Sequence, residues 1–149
     1  MEEKIDKPYE QPGYLLTQVS FLKQRIINAA LRELDITYIQ FIILAGTLEL
    51  SADGKIVTQQ DISIQRRLDK AMLSNVVKTL IEKGLMIRHI HPVDKRAYTL
   101  SLTNTGKETA IKGKEIALNA DKTFFAKINK KAFIKALTTL LENEGGSNE

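Results

Sequence analysis

Cysteine is absent from the 149 residues. A disulfide framework, a thiolate zinc site and a thiol redox sensor are therefore excluded. The same absence fits a reducing cytoplasm, the expected location. No apolar run approaches the roughly 18 to 20 residues that a membrane span needs, so no membrane partner is expected. The opening MEEKIDKPYEQPGY is acidic and polar, which reads as a mobile arm over residues 1–13 rather than a signal peptide. There is no internal repeat and no low-complexity linker. There is also no Gly-rich phosphate loop and no defensible Ser/His/Asp arrangement, so no catalytic residue and no cofactor is expected.

What is present is a foldable chain of ordinary domain length. Hydrophobic residues make up 43% and charged residues 27%, the balance of a globular protein and not of a disordered one. The net charge is only +4, but its placement is uneven. Ten bases and four acids stand between Lys55 and Lys107. A basic centre between near-neutral flanks is the footprint of a module that binds phosphates.

Periodicity places the elements. Leu15, Val19, Leu22, Ile26, Ile27, Ala30, Leu31 and Leu34 recur at steps of three and four, which predicts a helix from Gly13 to Leu34. Its apolar surface is wider than one surface helix needs, and the excess suits a partner subunit. Thr37 and Gln40 form a capping box for a nearly all-apolar second helix through Leu48. Ile56-Val57 is a short extended piece. Thr58 caps a short helix over Gln59 to Arg66, with Asp61 in its first turn. Asp69 caps the next helix, from Lys70 to about Lys83, and Gly84 closes it with Leu85 packing back on Leu80. Met86 to His91 reads as a strand, Pro92 to Arg96 as a turn, and Ala97 to Leu102 as the returning strand. Thr103 opens a helix to about Lys127. Phe133, Ile134, Leu137, Leu140 and Leu141 share one side of a last helix.

The chemistry concentrates in the middle. In the helix from Lys70, residues Leu73, Val76, Val77 and Leu80 fall within about 100° at 3.6 residues per turn and face a core. Ala71, Ser74, Asn75, Lys78 and Glu82 lie opposite. A small polar face lets a helix approach base edges: Asn pairs with adenine, Ser with several edges, and an Ala methyl with the thymine methyl. Lys70 and Lys78 reach guanine or phosphate. The plain alternative is an ordinary solvent face. The turn carries Asp94, Lys95 and Arg96. A hairpin tip is narrow enough for a minor groove, where Arg is drawn by the focused negative potential. Asp94 is placed to hold Arg96 extended, although an ordinary charged turn has the same composition. Thr58, Gln59 and Gln60 open a helix, a seat for a phosphate as well as a cap. His89 and His91 share a strand face, but two histidines with no third ligand nearby are thin support for a metal.

Together these segments resemble the MarR family of bacterial transcriptional regulators. The resemblance runs from Tyr14 to about Leu141. It is carried by LDITYIQF from Leu34, VTQQDI from Val57, LDKAMLS from Leu68, LIEKGL from Leu80, the turn Asp94 to Arg96, and LSLTNTG from Leu100. It implies a mainly α fold with a small β-hairpin: a winged helix-turn-helix over residues 37–106, flanked by dimerisation helices at 14–34 and 108–142. Residues 143–149 are expected to be a disordered tail. It implies a homodimer on double-stranded DNA, with paired helices in successive major grooves and wings in minor grooves. It also implies a small anionic or aromatic effector between the two parts, near Tyr14, Arg25 and Tyr38.

Two departures stand out. Arg66 and Arg67 occupy a turn where the family usually has an apolar residue and a Gly, which leaves the turn open to alteration and to extra phosphate contact. Without cysteine, any effector response must act through binding. The rival readings are a winged-helix protein-interaction module and a metal-responsive sensor built on His89 and His91.

Overall fold

A computed structural model describes residues 10–142. The expected disordered tail and most of the expected N-terminal arm lie outside those residues. The elements are α1 (Pro12–Leu31), a short 3-10 turn (Arg32–Leu34), α2 (Tyr38–Leu50), β1 (Val57–Thr58), α3 (Gln59–Arg66), α4 (Lys70–Glu82), β2 (Met86–Ile90), β3 (Tyr98–Leu102), α5 (Asn104–Phe124) and α6 (Lys130–Glu142). The fold is mainly helical with a small antiparallel sheet, as the sequence predicts.

Several boundaries differ from the periodicity. α1 begins at Pro12, where a proline loses no helical hydrogen bond, so residues 12 and 13 are helix and not arm. It gives way to the 3-10 turn after Leu31, and Asp35 then takes a left-handed conformation at φ 54°. α5 stops at Phe124, three residues before the expected Lys127. The extended piece before α3 is Val57–Thr58, one residue later than expected, and it is a paired strand.

α2 is the buried centre. Phe41, Ile43, Leu44 and Ala45 are inaccessible or nearly so. Phe41, Ile43 and Leu44 each contribute on the order of 1.5–3 kcal/mol by burial. Thr47 is fully buried, and its hydroxyl is satisfied by donating to the Ile43 carbonyl at 2.8 Å. Its N-terminus carries the predicted capping box. Thr37 Oγ1 accepts from Gln40 N, and Gln40 Oε1 accepts from Thr37 N. Asn28 Oδ1 accepts from Tyr38 N at 2.7 Å, which fixes α2 against α1.

The sheet order is β1-β3-β2, antiparallel throughout. Val57 pairs with Leu100, Thr58 with Thr99 and Ile90 with Tyr98. The third strand matters for position: β1 ends where α3 begins, so its pairing holds the first turn of α3 beside the hairpin. The hairpin's base is locked to α5. A Cβ on Gly106 would lie 1.9 Å from the Leu85 carbonyl oxygen, an approach only glycine permits. Thr103 reinforces it, donating from its hydroxyl to the Gly84 carbonyl at 2.7 Å.

Candidate nucleic-acid interface

α4 presents the faces the periodicity predicts. Leu73, Val77 and Leu80 are buried, and Val76 and Ile81 pack at the edge of the core. Lys70, Ala71, Asn75, Lys78 and Glu82 are exposed, and Ser74 is half-buried. Asp69 Oδ2 caps the helix by accepting from Met72 N at 2.9 Å. The other end closes as a Schellman motif, with Leu85 N donating to Leu80 O, Gly84 N donating to Ile81 O, and Gly84 at φ 74°. Lys83 then reaches the Asp35 carbonyl, tying the end of α4 to the α1–α2 turn. The helix is thus held at both ends with its polar face outward.

α3 starts with a reciprocal cap that goes beyond the simple cap expected. Thr58 Oγ1 accepts from Asp61 N, while Asp61 Oδ2 accepts from Thr58 N. Asp61 is thus part of the cap. Gln59 Oε1 is shielded from solvent and has no donor.

The turn between α3 and α4 resolves the double-arginine question. Arg67 adopts the left-handed conformation, φ 52° and ψ 47°, where the residue class favoured by geometry is glycine. Leu68 N donates to Ser63 O and Arg67 N to Ile64 O. The Ser63 hydroxyl donates to Leu68 O at 2.8 Å. Hydrogen bonds on both sides hold the turn, and Arg67 bears the strain of the left-handed conformation. The two arginines also part company. Arg67 is exposed, whereas half-buried Arg66 turns back to α2 and donates to Glu49 Oε2 at 2.9 Å. Arg66 is therefore not brought to the face that carries Lys70 and Asn75.

The turn after β2 is built by its own polar groups. His91 Nδ1 accepts from Val93 N at 3.1 Å and Asp94 N at 3.0 Å. Asp94 Oδ1 accepts from Arg96 N at 3.1 Å, and the Arg96 guanidinium lies 3.4 Å from the same oxygen. The Arg96 side chain is 93% exposed, so Asp94 steadies an arginine that projects into solvent. Behind the turn, the Arg88 guanidinium stacks over the Tyr98 ring at 4.7 Å.

These parts converge. An open groove of about 540 Å³ is lined by Thr58, Gln59, Gln60, Ser63, Lys70, Leu73, His91, Asp94, Arg96, Ala97 and Tyr98. It joins the N-termini of α3 and α4 to the hairpin. Of the expected DNA-contacting residues, Arg66, Arg67, Ala71, Ser74, Asn75, Lys78 and Lys95 lie outside the lining of that groove. Sequence reasoning missed Ser63, His91 and Tyr98 as members of the groove. Ser63 and Tyr98 carry no signal of their own, because β1 pairing brings them there. His91 had one: a hydrogen-bond acceptor ahead of Pro92 and two free amides.

The histidine pair is not a joint site on this geometry, since His91 Nδ1 already has two donors. Among the described residues no group of three or more His, Cys, Asp or Glu is placed to hold a metal ion.

A second region lies between α1, α2 and α5. Tyr38 and Ile42 line two adjoining clefts of about 320 and 400 Å³. Lys23 Nζ donates to Tyr38 Oη at 2.8 Å and stands 3.4 Å from Asp121 Oδ1. Burial works against the charge on Lys23, but its hydrogen bond to Tyr38, with the Asp121 carboxylate behind, more than offsets it and raises its pKa. Lys23 is therefore a retained cation in a half-buried place. Of the expected effector residues, only Tyr38 lines these clefts. Tyr14 and Arg25 are exposed on α1 and are not brought to them. Lys23, two residues before Arg25, lines the first cleft instead.

Three comparisons bear on this arrangement. Residues 32–117 match a family described as ArnR1-like, winged-helix domain. An uncharacterized HTH-type transcriptional regulator of Bacillus subtilis, YdcH, is 37% identical over 95% of this chain and 97% of its own length. Among solved structures, a variant of E. coli MarR complexed with operator DNA superposes with a TM-score of 0.73 at 23% identity, covering 88% of this chain and 91% of that one. CouR of Rhodococcus jostii bound to p-coumaroyl-CoA superposes with a TM-score of 0.80 at 19% identity, over 97% of this chain and 98% of that one.

Proposed function

The chain belongs to the ArnR1-like winged-helix family of helix-turn-helix transcriptional regulators and has the MarR fold, and from that premise we propose that it is a sequence-specific DNA-binding regulator acting as a homodimeric, ligand-responsive repressor. The observation that carries the reading is the shared basic face. The first turns of α3 and α4 and the projecting Arg96 open onto one groove. α4 enters a major groove, where Ala71, Ser74 and Asn75 meet base edges, and Lys70 and Lys78 meet phosphate or guanine. The wing sends Arg96 into the adjacent minor groove, with Lys95 and Arg67 on the backbone. Thr58, Gln59 and Gln60 offer a helix N-terminus to a phosphate.

The dimer is supported by exposed apolar surface. Leu15, Leu16, Phe21 and Leu22 on α1 and Ile134, Leu140 and Leu141 on α6 all face solvent in the single chain. Surfaces of this kind on a soluble domain mark an interface. A second copy placed two-fold would set the recognition helices roughly 34–36 Å apart, one DNA turn, on a pseudo-palindromic operator. The clefts beside Tyr38 and Lys23 support a small anionic or aromatic effector that acts through binding. No helix among the described residues is long and apolar enough to cross a membrane, and we place the protein in the cytoplasm, with binding and not catalysis as its work. A protein-interaction role gains nothing from the exposed face of α4, which is small and charged.

The test is fluorescence anisotropy with fragments selected from genomic DNA. Specific binding should weaken by orders of magnitude between about 50 and 200 mM salt. Absence of salt-sensitive specific binding overturns the reading.

A further inference from the structure

We propose that His91 is the positioning residue of the wing: its unprotonated Nδ1 builds the turn that presents Arg96. The turn has no core of its own, for Val93 is 85% exposed and Arg96 more so. Its order therefore comes from hydrogen bonds. Pro92 has no N–H, so the first free amides after His91 are those of Val93 and Asp94. Both donate to His91 Nδ1. The hairpin closes around them, with His91 N donating to Ala97 O at 2.9 Å and Ala97 N donating to Asp94 O at 3.0 Å. Asp94, so placed, accepts from the Arg96 backbone and faces its guanidinium. The chain of dependence runs from His91 to Asp94 to Arg96.

The imidazole does here what an Asn or Asp side chain does when it bonds amides two and three residues on. It differs in one respect. A neutral ring whose Nδ1 accepts carries its proton on Nε2, and a protonated ring has no acceptor at all. Taking up a proton removes both bonds together. The ionisable groups that line the groove with His91 are Asp94 and Arg96 on the wing, Tyr98 on β3 and Lys70 on α4, while α3 offers only uncharged side chains.

The inference rests on the DNA-binding reading for its affinity arm alone. In the free chain, a long-range ¹H–¹⁵N spectrum at about pH 8 should show His91 unprotonated at Nδ1. Protection of the Val93 and Asp94 amides should disappear once acidification protonates the ring and removes its acceptor. On DNA, His91→Ala should weaken binding roughly threefold to tenfold, the worth of two modest hydrogen bonds. His91→Asn, which keeps an acceptor but cannot titrate, should restore binding and lose less affinity than the wild type on acidification. The inference is overturned if Nδ1 carries the proton, or if His91→Ala binds as the wild type does. It is equally overturned if the wild type tightens relative to His91→Asn as the pH falls, since the ring would then act as a cation on phosphate. If the chain binds no DNA, the functional reading fails, while the spectrum still decides the role of His91.

Discussion

α4 and α6 are both thirteen-residue amphipathic helices, yet one is complete within the chain and the other is not. α4 buries Leu73, Val77 and Leu80 against α2 and the sheet. α6 buries none of its residues, and Ile134, Leu140 and Leu141 are each more than half exposed. One apolar contact it does make in the chain is Phe133 against Phe125, with ring centroids 5.5 Å apart. Periodicity says that a helix has an apolar partner. It does not say whether the partner is the same chain. The reading module closes its own core, while the terminal helices leave theirs open, and a second copy is the occupant we propose.

Each prediction strains that contrast. The largest effect should come from α6. Leu140→Asp combined with Leu141→Asp should abolish the dimer by sedimentation and weaken operator binding at least about a hundredfold, the avidity of two linked sites. A double variant that still sediments as a dimer would break the comparison. Next comes the core of α4. Leu73→Ala should lower the urea-unfolding free energy by about 2–5 kcal/mol, at every protein concentration. Leu140→Ala should instead make thermal stability more dependent on concentration, because the contacts we propose for it lie across subunits.

Smaller effects sharpen the α4 side. Arg96→Ala should weaken DNA binding with little change in stability, and Asn75→Ala should relax preference at one base position by about 1–3 kcal/mol, read by competition with point-substituted operators. The smallest effect concerns the turn. Arg67→Gly should relieve the left-handed residue with a Cβ while removing the side chain's own contacts, so the unfolding free energy should change by less than about 1 kcal/mol in either direction.

Local chemistry was readable from the chain. Thr37 with Gln40, Thr58, Asp69, Gly84 and the pair Asp94 and Arg96 all signal over two to four residues, and each stands as its local spacing implies. The faces of α4 followed from periodicity alone. What was not readable depended on distant partners. Arg66 looked like a twin of Arg67, but Glu49, seventeen residues earlier, draws it inward. Lys23 gave no signal until Tyr38 and Asp121 closed around it. The left-handed turn at Arg67 looked doubtful because the residue is wrong for it, and Ser63 is what holds it. Tyr14 and Arg25 were assigned by analogy to a pocket that their exposed positions on α1 do not reach in the single chain.

We propose that two copies of this chain, joined through α1 and α6, read DNA through α4 and the wing. Analytical ultracentrifugation of the chain with a labelled duplex chosen by selection tests it most directly. The account predicts two chains per duplex, a complex that dissociates as salt rises, and none formed by the Leu140→Asp, Leu141→Asp variant at the same concentration. A single chain bound per duplex, or a complex indifferent to both salt and the α6 substitutions, would contradict it.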